Sequence, residues 1–141
     1  MPSTVNSRYI DFHSHFYDPS WFPSPITTGH GILARAWPLL TDIEAQLAAM
    51  ESVGIDAKVQ SAPSALLVEP GRHLPLSLME RINDRFAELV STYPEHLLAL
   101  ATIDAFQGDV AACEVERAIQ DAENSQSNEK STTFAPPKQP G

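Results

Sequence analysis

The sequence predicts an α/β fold in which parallel strands are connected by helices. Three strand-like apolar segments alternate with three amphipathic helical segments, an order typical of parallel strands joined by right-handed crossovers. The third strand-like segment, LLALATI, is nearly continuously apolar, as is typical of a parallel strand covered on both faces. The predicted strands span residues 9–16, 55–62 and 97–103, and the predicted helices span residues 41–53, 78–92 and 109–123.

The first predicted strand, YIDFHSHF, has one apolar face and one face of polar, metal-binding side-chain types. Side chains alternate along a strand with a period of two residues. Ile10 and Phe12 are therefore predicted to face one side of the sheet. Asp11, His13 and His15 are predicted to face the other side.

A long connection, residues 17–40, follows this strand and is rich in proline and aromatic residues. Connections of this length are unusual in compact domains and often have a function. Two interpretations stay open for Trp21, Phe22 and Trp37. They cover the end of the hydrophobic core, or they belong to a loop that covers a substrate.

The first predicted helix has clear end signals. Thr41 and Glu44 match a capping box, in which each side chain accepts a hydrogen bond from the other residue's backbone N–H. Apolar residues recur at helical spacing on one face, namely Ile43, Leu47, Met50 and Val53. Gly54 follows at the position where a left-handed residue commonly ends a helix.

The charge and cysteine content exclude several classes of protein. Lys and Arg number 9 against 18 Asp and Glu, and the resulting charge of −9 disfavours binding to nucleic acids or to anionic membranes. Cys113 is the single cysteine, so an internal disulfide and a multi-cysteine zinc site are excluded. No apolar run approaches the roughly 20 residues of a membrane span, and the first residues do not resemble a signal peptide. The simplest expectation is a cytoplasmic protein.

His13 and His15 are the candidate metal ligands. Neutral imidazole is a good ligand for zinc and similar divalent metals. Two histidines at positions i and i+2 place both rings on one face of a strand, and active sites in βα barrels lie at the carboxyl ends of the strands. Asp11 is a candidate weak ligand or hydrogen-bond acceptor for a histidine, or a polar contact without function. An H-x-H motif also arises by coincidence, and that alternative stays open.

The chain has three further histidines. His73 follows the second predicted strand, on the side of the sheet expected to carry the site, and is either near the pocket or solvated. His30 lies in a Gly-His-Gly context and is a candidate substrate contact. His96 precedes the third predicted strand, which places it at the end opposite the expected site.

Three stretches of sequence resemble the amidohydrolase-2 group of enzymes. These stretches are YIDFHSHFYDPSWF, LTDIEAQLAAMESVGIDAKVQSAPS and INDRFAELVSTYPEHLLALATID. The group includes aminocarboxymuconate-semialdehyde decarboxylase and related non-oxidative decarboxylases of aromatic acids. The resemblance extends over residues 9–122, and its specificity comes from the order and spacing of the three stretches.

The resemblance implies a metal-dependent enzyme built on a (β/α)8 TIM-type barrel. In that group the H-x-H motif of the first strand supplies two metal ligands, which correspond to His13 and His15. The implied cofactor is Zn²⁺ or another divalent metal. The implied reaction is hydrolysis, or carbon–carbon cleavage with loss of carbon dioxide, on a small aromatic or unsaturated carboxylic acid.

A complete barrel takes about 250 residues, whereas this chain has 141. The expected fold is therefore a partial TIM-type barrel of about three βα units, residues 8–123, followed by a disordered C-terminal tail, residues 124–141. Later ligands and acid–base groups would be missing, so zinc would bind weakly and catalysis would be incomplete. The alternatives are a fragment from a gene model and a non-catalytic half-barrel that binds a partner. Association into a homo-oligomer is compatible with each of them.

Overall fold

The computed structural model describes residues 8–23 and 32–132, and these form a three-stranded parallel sheet with helices. The sheet order is β1-β2-β3, which confirms the predicted α/β class. The strands are β1 (Ile10–His15), β2 (Ala57–Ser61) and β3 (Leu97–Ala99); the helices are α1 (Ile32–Thr41), α2 (Ile43–Val53), α3 (Leu76–Thr92) and α4 (Asp109–Thr132); short 3-10 turns span Pro19–Trp21, Ser64–Leu66 and Ala105–Gln107.

The pairing of β1 with β2 contains a shift of register. Asp11 pairs with Lys58, and Ser14 pairs with Gln60, so three steps along β1 correspond to two steps along β2. An extra residue of this kind is the mark of a β-bulge. Because Lys58 and Gln60 are two residues apart in an ordinary strand, Asp11 and Ser14 lie on the same face of the sheet.

The helices cover one face of the sheet. Leu97 of β3 is 1% exposed and packs with the apolar side of α3. The predicted apolar face of this helix is confirmed, since Ile82, Phe86 and Leu89 are all buried. Burial of such large apolar side chains stabilises the fold by about 1.5–3 kcal/mol each.

The opposite face of the sheet carries exposed apolar side chains. Ile10, Leu98 and Leu100 are 42%, 49% and 57% exposed, so no element among the described residues covers them. The third strand was predicted to be covered on both faces. Within the described residues it is covered on one face only, so this prediction is wrong. The regular strand is also shorter than predicted, because it ends at Ala99.

The connection predicted for residues 17–40 contains a helix. Helix α1 spans Ile32–Thr41 and includes Pro38. Proline lacks the backbone N–H that an internal helical residue donates, and for this reason prolines normally indicate a loop. In this chain, α1 is helical although it contains Pro38.

The start of α2 differs from the predicted capping box. Asp42 is the N-cap residue, and its carboxylate accepts a hydrogen bond of 3.0 Å from the Ala45 backbone N–H. Thr41 is the last residue of α1, and its hydroxyl donates to the Trp37 carbonyl at 2.9 Å. The end of the helix is as predicted, because Gly54 adopts a left-handed φ of 75°.

Helix α4 continues to Thr132, beyond its predicted end at residue 123. The first nine residues of the predicted disordered tail, 124–132, are thus helical, while residues 133–141 lie outside the described residues. The prediction relied on low hydrophobicity. However, residues 124–132 contain no glycine or proline to end a helix, and the first proline after them is Pro136. None of the helices in the described ranges is both long and apolar enough to cross a bilayer.

Candidate metal centre

His13 and His15 lie together at the carboxyl end of β1. Their ring centroids are 5.0 Å apart and the ring planes meet at 77°. His15 is paired in the sheet with Ser61, the last residue of β2. The histidine pair therefore stands at the edge where parallel strands β1 and β2 both end.

Asp11 does not share the face of His15, in contrast to the prediction from alternation. The register shift places it beside Lys58, whose ammonium lies 4.0 Å from the Asp11 carboxylate. The same carboxylate accepts a hydrogen bond of 3.0 Å from the backbone N–H of His13. Asp11 therefore contacts the backbone of β1 and the Lys58 ammonium.

Ser61 contacts the imidazole of His15 directly. The Ser61 hydroxyl oxygen lies 2.9 Å from His15 Nδ1. The same hydroxyl donates to the backbone carbonyl of Ser14 at 3.2 Å. Sequence reasoning did not single out Ser61 as a site residue. Its position at the end of β2, next to the end of β1 in a parallel sheet, is the signal that could have identified it.

Buried amide side chains lie behind the histidine pair and fix the backbone of β1. Gln46 of α2 is 4% exposed, and its amide donates to the carbonyls of His15 at 3.0 Å and Leu39 at 2.8 Å. Gln60, 1% exposed, donates to the Gln46 side-chain oxygen at 2.7 Å. The hydroxyl of Ser14 donates to the side-chain oxygen of Gln60 at 3.3 Å. Because buried polar groups are costly to leave unpaired, these bonds hold the strand in one register.

His73 is paired with a carboxylate in the segment after β3. Its Nδ1 lies 2.9 Å from Asp104 Oδ2, and the imidazole is 66% exposed. This hydrogen bond from His73 holds the pKa of the Asp104 carboxyl below its ordinary value, and the backbone N–H of Leu74 lowers it further. His96 contacts the Asp56 carbonyl before β3, at the end opposite the candidate site, as expected. His30 lies outside the described residues.

The aromatic side chains near α1 cover the core. Trp21 is 4% exposed and packs edge-on against Phe16 and Phe86, with ring centroids 5.9 Å away in both cases. Phe22 and Trp37 both pack against Tyr17. Burial raises the pKa of the Tyr17 phenol to about 12. Of the two interpretations of these aromatics, the structure favours the covering of the core.

The donor set fits part of a metal site. Two imidazoles suit zinc and similar divalent metals, but a catalytic zinc usually has three protein ligands and a water molecule. Within residues 8–23 and 32–132, no group of three or more His, Cys, Asp or Glu side chains is arranged to hold a metal ion. His13 and His15 can therefore supply two ligands, and any further ligand has to come from elsewhere.

Comparison with known proteins identifies structures of similar fold. No protein-family model matches the chain, and no curated protein matches it. The 2,6-dihydroxybenzoate decarboxylase from Rhizobium superposes with a TM-score of 0.67 and 21% identity, over 83% of this chain and 36% of that protein. The 5-carboxyvanillate decarboxylase from Sphingomonas paucimobilis superposes with a TM-score of 0.59 and 21% identity, over 82% of this chain and 40% of that protein. A Staphylococcus aureus protein assigned as an amidohydrolase superposes with a TM-score of 0.61 and 18% identity, over 83% of this chain and 35% of that protein.

The chain thus spans between 35% and 40% of the length of these three proteins. At such identities the likeness shows a shared fold. Two of these proteins are decarboxylases and one is assigned as an amidohydrolase, so the structural likeness agrees with the resemblance seen in the sequence. The three-stranded parallel sheet is consistent with part of a TIM-type barrel.

Proposed function

We propose that this chain carries part of the active site of a metal-dependent decarboxylase or hydrolase of the amidohydrolase type. The proposed substrate is a small carboxylic acid, aromatic or unsaturated. One observation carries the proposal. His13 and His15 lie with ring centroids 5.0 Å apart at the carboxyl end of β1, in a fold shared with decarboxylases of aromatic acids.

The chain's own residues have distinct parts in this proposal. His13 and His15 would hold the metal, while Gln46 holds the backbone carbonyl of His15 in place from behind. A bound divalent metal such as Zn²⁺ would supply Lewis acidity, polarising a carboxylate or lowering the pKa of water. The proposal makes the histidine pair an incomplete site, because the described residues contain no group of three ligands.

Metal binding tests the proposed role of the histidine pair. Purified 141-residue protein is titrated with Zn²⁺ under competition from a chromophoric chelator. We expect weak binding that is lost when His13→Ala and His15→Ala are combined. The matched control combines His73→Ala with His96→Ala, which removes two other imidazoles of the same chain. Equal loss in both double variants would contradict the assignment.

Activity tests whether the chain by itself completes the site. We expect no measurable release of carbon dioxide when 2,6-dihydroxybenzoate is incubated with the zinc-loaded chain, because two protein ligands are fewer than a catalytic zinc usually has. Turnover that depends on His13 and His15 would show that no further protein ligand is needed.

A second candidate function is a non-catalytic module that associates with another chain. The observation that favours it is the exposed apolar face carrying Ile10, Leu98 and Leu100. Contiguous exposed apolar surface and unpaired strand edges both favour association. This candidate predicts a homo-oligomer or a complex whose stability does not depend on His13 and His15.

A further inference from the structure

We infer that Ser61 is a positioning residue that holds the His15 imidazole as its Nδ1–H tautomer. The geometry rests on two contacts of one hydroxyl group. The Ser61 oxygen lies 2.9 Å from His15 Nδ1 and 3.2 Å from the carbonyl oxygen of Ser14. The inference that this tautomer serves a metal rests on the proposed function.

The hydroxyl has one proton to donate, and this proton decides the direction of both bonds. A carbonyl oxygen only accepts, so the contact with Ser14 requires the Ser61 hydroxyl to donate. Because its single proton is used in that bond, the Ser61 hydroxyl oxygen can only accept a hydrogen bond from His15. A hydrogen bond at 2.9 Å therefore requires that His15 Nδ1 carry the proton and donate it. In a neutral ring, Nε2 then carries the free lone pair.

The backbone around His15 is held firmly enough for this bond to select a tautomer. The His15 carbonyl accepts from Gln46, and the Phe16 N–H donates to the Ser61 carbonyl at 3.1 Å. His15 and Ser61 are also paired residues in the sheet. Metal-bound histidines usually donate their second ring N–H to a fixed acceptor, which sets both the tautomer and the ring orientation. Ser61 provides such an acceptor.

The tautomer is measured without any metal. The full chain is labelled with ¹⁵N, and long-range ¹H–¹⁵N NMR spectra are recorded at alkaline pH. We expect the wild-type His15 to show a protonated Nδ1, and Ser61→Ala to shift His15 toward the Nε2–H form. Ser61→Thr keeps the hydroxyl and should retain the Nδ1–H form.

Ser14→Ala is the matched control. It removes a hydroxyl from the residue next to His15, but that hydroxyl bonds to the buried amides of Gln60 and Gln46 and not to the ring. The carbonyl of Ser14 remains, so the His15 tautomer should be unchanged. A general loosening of the sheet would shift the tautomer in Ser14→Ala as well, and this result would overturn the specific role of Ser61.

Two further outcomes would overturn the inference. One is a wild-type His15 in the Nε2–H form, which needs no variant and so does not depend on how the variants fold. The other is an Nδ1–H form that persists in Ser61→Ala. Zinc affinity provides the functional readout, with a loss of about 10- to 100-fold in Ser61→Ala and recovery in Ser61→Thr. If zinc binding proves independent of His13 and His15, the proposed function fails while the tautomer result stands.

Discussion

Asn83 of α3 donates its side-chain amide to the carboxylate of Glu114 in α4, at 2.7 Å. The same Asn83 side chain exchanges two hydrogen bonds with the backbone of Thr102, at 2.7 and 3.1 Å. Arg117 donates two further bonds to Glu114, at 2.7 and 2.8 Å. Glu114 is 2% exposed, so this network of buried polar groups attaches α4 to α3 and to the segment after β3.

Removal of the Glu114 carboxylate should destabilise the protein. Glu114→Ala leaves the amide of Asn83 and the guanidinium of Arg117 without their shared acceptor. Leaving buried donors without an acceptor costs about 1–3 kcal/mol, and we expect a loss in this range because Arg117 keeps Asp84 and Asp121 as partners. The loss is measured by urea unfolding monitored by circular dichroism.

The control for this prediction is Glu116→Ala, two residues along the same helix. Glu116 is exposed, and its substitution should change the free energy of unfolding by less than about 0.5 kcal/mol. Similar losses in the two variants would show that the Glu114 network does not contribute the stability inferred from its burial.

Stability should decrease in acid in a manner that depends on Glu114. The hydrogen bonds from Arg117, and next from Asn83, hold the pKa of this carboxyl below its ordinary value of 4.5. Its ionised form therefore stabilises the fold above pH 4.5, and this contribution is lost as the pH falls through the lowered pKa. Urea unfolding of wild type and Glu114→Gln across this range should show a flatter acid decline in the variant. Parallel declines would count against the shifted pKa.

A charge on the exposed apolar face of the sheet should reduce self-association without unfolding the protein. Leu98 is 49% exposed, so Leu98→Lys places its ammonium in water at a cost below about 1 kcal/mol. Sedimentation velocity should show a smaller share of oligomer than in wild type. The control is Leu97→Lys, at a neighbouring residue that is 1% exposed, and we expect this variant to unfold. An unchanged share of oligomer in Leu98→Lys would show that the exposed apolar face is not the contact surface.

Elements with strong local patterns were predictable from the sequence. The helical spacing of Ile82, Phe86 and Leu89 identified α3, and the alternating order of strands and helices identified a parallel sheet. Helix α1 was missed because Pro38 suggests a loop. The end of α4 was misplaced because helix length there depends on the absence of helix breakers and not on hydrophobicity.

The sequence by itself determined the class of fold, the order of the elements and the presence of two imidazoles at the end of the first strand. Only the tertiary structure decided which groups surround them. The register shift moved Asp11 to the face of Lys58, and strand pairing brought Ser61 within 2.9 Å of His15. The physical reason is separation along the chain. Periodicity reports neighbours along one element, whereas the register of β1 with β2 and the bond from Gln46 to the His15 carbonyl join residues more than thirty positions apart.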